Sequence, residues 1–211
     1  MGYRDPCGSM RPVAAAESEI GPSEGMNSDH IPGVLLVIGA VVFGVGAAVG
    51  VPRVFTERDP HARLRMLEER LGIWRMAQPL YGLGPIIASA GVGTLAAEAP
   101  VGWTRITFAA ACLAMAVGAL AWSWSLYLRA TRVSGFAFGM LPGWPFTTYV
   151  LLTIGGLALL GIGLLRGGSP VWLGWLTLGA DIVFFAAYLR FRDIPPFVFY
   201  ILLLLVGSVV I

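Results

Sequence analysis

An all-α bundle of about six membrane-spanning helices is the fold this sequence predicts, and three observations predict it. Only 12% of the 211 residues are charged while 57% are hydrophobic, whereas a water-soluble domain carries roughly a quarter charged residues. The apolar residues gather into six stretches, each close to the ~20 helical residues that a hydrocarbon layer about 30 Å thick requires. The arginines fall between those stretches, heavily in alternate loops. Backbone groups in hydrocarbon can pair only within a helix or a closed barrel, and no stretch shows the period-two alternation of a barrel strand.

Residues 1–29 form a polar tail. It holds Arg4, Asp5, Pro6, Arg11, Glu17, Glu19, Pro22 and Glu24 without the apolar core of a signal peptide, so disorder is expected there. Met26 reads as an alternative start. From residue 30 to 211 a six-helix transmembrane domain is expected. Its first span runs from Ile31 to Val51, with Asp29 as N-cap and Pro32 in the first turn, where a missing N–H does no harm. Next, over about 60–76, Leu64, Leu67, Leu71 and Trp74 recur at helical spacing while Arg63, Glu68, Glu69 and Arg70 fall mainly on other faces. That pattern predicts an amphipathic helix on the cytoplasmic surface, either resting on the membrane or docking a partner or anionic lipid.

The second span is expected from about Gln78 to Ala97 and the third from about Arg105 to Leu128. The third ends in Trp122, Trp124 and Tyr127, the composition of an aromatic belt at an interface. The fourth runs from about Phe146 to Leu165, the fifth from Val171 to Leu189, and the sixth from Ile194 to Ile211, started by Pro195-Pro196. Val34-Leu35-Leu36-Val37-Ile38-Gly39 resembles Val150-Leu151-Leu152-Thr153-Ile154-Gly155, which would fit an inverted repeat of three spans.

All 14 basic residues are arginine, a bias that fits a GC-rich genome and carries no functional weight. Ten of them lie in the first, third and fifth loops, so these loops are expected in the cytoplasm, with both termini outside. A bacterial cytoplasmic membrane is the expected location and the lipid bilayer the expected partner. The net charge of +2 comes without a basic patch, which excludes nucleic-acid binding.

Asp181 is the one acid near the middle of a span. A carboxylate there costs about 2.5–3.5 kcal/mol on insertion scales, so it should face the bundle interior or a water-filled cavity. Ser89, close in depth, and Thr177, one turn earlier, are candidate partners, with Thr153 and Tyr149 also in reach. Asp181 would then be a proton, cation or substrate contact, or a structural hydrogen bond across helices. In the second span Gly84-Pro85 should kink or break the helix, because proline removes a backbone hydrogen bond. Gly46-x-x-x-Gly50 fits close helix crossing within the bundle or a homodimer seam.

Catalytic, cofactor and metal sites are not expected. Cys7 and Cys112 have no metal or redox spacing, His30 and His61 fall outside the spans, and no H-E-x-x-H, Walker A or G-x-S-x-G motif is present. The expected function is therefore a non-enzymatic accessory or interaction protein, with a membrane-protein partner or a homo-oligomer as its context. The alternative is a small-solute or proton-coupled permease using Asp181.

Overall fold

The computed structural model describes residues 30–211, so the expected tail over 1–29, with Met26 and Asp29, lies outside the described residues. The elements are α1 (Ile31–Val49), a 3-10 turn (Pro52–Phe55), α2 (Pro60–Glu69), α3 (Leu71–Glu98), α4 (Trp103–Thr131), α5 (Val133–Ala137), α6 (Trp144–Arg166), α7 (Val171–Phe191) and α8 (Phe197–Val210). Helices α1, α3, α4, α6 and α7 are long and apolar enough to cross a membrane. Helix α8 is not: its 14 residues rise only about 21 Å. The sixth stretch was expected to be helical from Ile194, but Pro195 and Pro196 offer no N–H and Arg192 turns into the left-handed region at φ 56°, which delays the helix to Phe197.

The six large helices follow one another around a ring. Helix α1 packs against α8 and α3, α3 against α4, α4 against α6, and α6 against α7, while α7 and α8 barely touch. A Cβ added at Gly33, in the first turn of α1, would lie 2.7 Å from the backbone of Gly207 and of Ile211. The start of α1 and the end of α8 therefore share one end of the bundle. The opposite end carries the α1–α3, α4–α6 and α7–α8 connections and most of the arginines. An accessibility tag before residue 30 and another after Ile211 should accordingly report the same side of the membrane, and a tag in the 139–143 loop the other side; opposite readings from the first two would break the ring as drawn.

Exposed aromatic side chains mark two levels. Trp103, Trp172 and Trp175 ring one end, and Trp124, Tyr127 and Trp144 the arginine-rich end. From Trp103 to Trp124 helix α4 rises about 32 Å, the thickness of a hydrocarbon core. Trp122, expected in the same belt, is instead 2% exposed and points inward.

Helix α3 corrects two further expectations. The amphipathic segment is split at Arg70 (φ −126°, ψ 31°), so residues 71–76 belong to α3. The apolar face of α2 is covered by the chain itself: Leu67 is buried with Val51, Val54, Trp74 and Ala137, and Leu64, Met66, Val133 and Phe136 close around them. Asp59 caps α2 by accepting from the N–H groups of His61 and Ala62. The result is a small cap over the arginine-rich end.

Nor does Pro85 break α3, which runs continuously through Pro79 and Pro85. Proline at position 85 frees the carbonyl of Tyr81, four residues back, and the Trp122 indole N–H donates to that oxygen at 3.2 Å. Tertiary structure thus replaces the bond the sequence removes. Helix ends are completed in the same manner. Trp74 Nε1 donates to Arg129 O at 3.2 Å and Arg75 Nε to Ala130 O at 3.3 Å, while Arg105 donates to Ala99 O and Ala97 O at 3.0 and 3.2 Å.

Small residues set the α1–α3 distance. A Cβ on Gly84 would lie 2.6 Å from Phe43 Cβ and 2.8 Å from Gly39 O, and one on Gly46 would lie 2.8 Å from Tyr81 N. Gly46 is therefore filled by α3 of the same chain, as close packing within one bundle requires. The matched glycines of the suggested repeat play different parts: Gly39 is pressed against α3, whereas a Cβ on Gly155 would meet nothing within 4 Å.

Candidate functional site

Five aromatic side chains, one each from α1, α3, α4, α6 and α8, form a closed circuit across the bundle. Phe43 meets Tyr81 edge-on (centroids 5.1 Å), Tyr81 meets Trp122 (6.4 Å), and Trp122 stacks on Tyr149 (4.9 Å). Tyr149 donates a hydrogen bond to Tyr200 (3.2 Å), and Tyr200 stacks on Phe43 (3.9 Å). Phe199 ties in α7 through Phe184 at 5.2 Å. Each aromatic pair contributes about 0.5–1.5 kcal/mol beyond the area it buries, so this girdle is a rigid floor.

On the arginine-rich side of the floor lies a cavity of about 860 Å³, within the range of small-molecule sites. Phe43, Tyr81 and Trp122 are its base; Gln78, Ser125, Leu126 and Arg129 line its wall; Arg63, Phe55 and Phe136 come from the cap side, and the 192–197 segment closes it. Three arginines (Arg63, Arg129, Arg192) face one acid, Asp193. The cavity is therefore electropositive, with aromatic walls.

Arg129 is the central group. Its guanidinium lies over the Trp122 ring at 4.9 Å and the Phe136 ring at 5.3 Å, a cation–π clamp that fixes its plane. Among the described residues it has no ion-pair partner within 4 Å. Arg63 is held differently. Its two terminal nitrogens donate to Ala137 O (3.0 Å) and Glu57 O, pinning α2 to α5, and its Nε is buried with no partner among the described residues. Gln78 donates from Nε2 to Trp74 O at 3.1 Å, which leaves its carbonyl oxygen available. This arrangement can hold an anionic group against two guanidinium groups.

Sequence reasoning missed this cluster, because Trp122 read as a belt residue and Arg129 as a loop charge. A signal was present. Trp122, Ser125 and Arg129 recur at helical spacing opposite the exposed Trp124 and Tyr127.

The expected polar site at midspan is placed but not assembled. Asp181 is 7% exposed, on the face of α7 that also buries Leu173, Gly174, Thr177 and Tyr188. It lies one turn beyond Phe184, on the far side of the aromatic floor. Its Oδ1 has no hydrogen-bond partner among the described residues. Ser89 donates instead to Pro85 O at 2.7 Å in its own helix, whose main partners are α1 and α4, and Thr177 donates to Leu173 O at 2.8 Å. Tyr149 is engaged with Tyr200. Gly84 and Pro85 contribute packing rather than an exposed carbonyl, since Trp122 covers the oxygen that Pro85 frees.

Replacing an unpaired buried polar atom with an apolar group of similar size removes a desolvation cost of about 1–3 kcal/mol. Asp181→Leu should therefore raise the thermal midpoint in detergent, by about 2–4 °C per kcal/mol for a chain of this size, while Asp181→Asn should leave it nearly unchanged. A drop for the leucine variant would mean that the carboxylate holds a group of its own.

No family model matches the chain, and neither a curated protein nor a solved structure matches it. Fold and site together define a helical membrane protein with a floored, arginine-bearing cavity at one end.

Proposed function

We propose that this is a multi-pass protein of a cell membrane, with its arginine-rich end in the cytoplasm, and that it works without catalysis by binding an anionic amphiphile in the cavity beneath its cap. The positive-inside tendency supports the orientation, and a bacterial cytoplasmic membrane fits it. One observation carries the binding reading: the Arg129 guanidinium, clamped between Trp122 and Phe136 and without an ion-pair partner within 4 Å among the described residues, faces a cavity lined by two further arginines and one acid, Asp193. Among the described residues the lining offers a serine, Ser125, but no histidine to act as its base, which favours binding over enzymatic chemistry. Such a role suits an accessory or interaction protein whose state is set by its ligand.

The test is titration of the purified protein in a neutral detergent with dodecyl phosphate below its micellar concentration, followed by calorimetry. A hydrogen bond to a charged group contributes about 1.5–3 kcal/mol, so Arg129→Gln should weaken binding about 10- to 100-fold. Equal affinity in the variant, or no saturable binding by the wild type, would remove the reading.

A second reading is favoured by Asp181, whose Oδ1 lacks a partner among the described residues: a proton-coupled or small-solute permease, with the aromatic floor as its closed gate. Loss of solute uptake in cells carrying Asp181→Asn, with expression unchanged, would support it over simple binding.

A further inference from the structure

We infer that the occupant of the cavity is a membrane lipid, an anionic glycerophospholipid whose phosphate sits between Arg129 and Arg63 and whose acyl chain lies in the seam between α7 and α8. This rests on the binding reading above and adds the chemical class of the ligand and its route.

Three features point to a lipid rather than a soluble anion. The first is depth. Trp124, Tyr127 and Trp144 mark the headgroup level at this end, and Trp144 begins the helix whose Phe146 lines the cavity. The guanidinium of Arg129 is thus at the level of lipid phosphates. The second is the chemistry of the walls. Phe43, Leu126, Phe146 and Phe197 line the same cavity as the arginines. A small hydrated anion would face these walls with water, whereas an acyl chain covers them at about 25 cal/mol per Å². The third is the seam. Helices α7 and α8 form the weakest contact in the ring, and the segment joining them, Arg192 to Phe197, is itself part of the cavity wall. Ala180 and Ala187 share the face of Phe184, the residue that meets α8 through Phe199, so the groove between the helices is floored by small side chains.

Phosphate suits the donors better than carboxylate does. One guanidinium fork saturates a carboxylate, while a phosphodiester keeps acceptors for a second cationic group, and Arg63 and Arg192 line the same cavity as Arg129.

Native mass spectrometry of the full-length protein can test this by titration with dioleoyl phosphatidylglycerol, dioleoyl phosphatidylcholine and dodecyl phosphate. Expected is at least tenfold tighter retention of phosphatidylglycerol than of phosphatidylcholine, lost in Arg129→Gln. Filling the groove with Ala187→Phe should weaken phosphatidylglycerol about tenfold while leaving dodecyl phosphate, whose single short chain fits inside the cavity of about 860 Å³, unchanged; the second ligand also proves that the variant is folded, and Ala187→Leu replaces it if it is not. Equal retention of the two lipids, with dodecyl phosphate still dependent on Arg129, would overturn the lipid assignment and leave the binding reading intact. Failure of every anion to bind would overturn both. Unchanged phosphatidylglycerol binding in a folded groove-filled variant would overturn the seam as the place of the chain.

Discussion

Gly84→Val is expected to be strongly destabilising, costing about 3 kcal/mol and lowering the thermal midpoint in detergent by about 6–12 °C. The position admits no side chain: a Cβ would lie 2.6 Å from Phe43 Cβ and 2.9 Å from Phe43 N, and backbone cannot rotate aside as a flexible side chain does. Helix α1 would have to move outward. Because Phe43 also stacks on Tyr200 and meets Tyr81, the displacement would open the aromatic floor as well. Gly44→Val provides the control on the same helix pair. A Cβ there meets nothing within 4 Å, so that variant should match the wild type within about 0.5 kcal/mol. Comparable losses for both would show that glycine is needed for some reason other than the crossing.

The second large effect concerns Trp122. Trp122→Phe keeps a ring near Tyr149 but deletes the N–H that serves Tyr81 O, which should cost about 1–3 kcal/mol for an acceptor left unpaired. The cost should depend on Pro85. With Pro85→Ala the helix regains an N–H at position 85 and pairs Tyr81 O internally, so the indole is no longer required there. A double-mutant cycle over these two positions should give a coupling of about 1–2 kcal/mol, read from denaturation in mixed micelles. Strict additivity would mean that the 3.2 Å contact contributes nothing and that the proline is accommodated by some other means.

Much of the bundle was legible because hydrocarbon imposes a coarse rule. Helices α1, α6 and α7 fall within a few residues of the apolar stretches that announce them. Helix α3 begins seven residues before the expected Gln78, since Leu71 and Trp74 read as the end of a separate amphipathic helix over about 60–76. They join the span instead, where Trp74 and Arg75 donate to carbonyls at the end of α4. Hydropathy has no access to such pairings. Asp181 illustrates the same boundary. That it turns inward follows from the cost of exposing a carboxylate to lipid, and the face of one helix suffices to deduce it. Which side chains meet it depends on neighbouring helices, so Ser89 at matching depth turned out to serve its own helix. Arg129 was counted as a loop charge for the orientation argument. Its cavity-facing position depends on Trp122, seven residues earlier, and Phe136 from the following helix, a convergence that no periodicity encodes.

A circle of helices around a central axis is also the layout of a pore, and a pore would discharge the ion gradients of its host. The circuit of Phe43, Tyr81, Trp122, Tyr149 and Tyr200 prevents this, and beneath it Leu36, Leu157, Leu160 and Leu203, each 0% exposed, fill the remaining core. The ring is thereby closed along its axis by packed side chains, with a recess on one face.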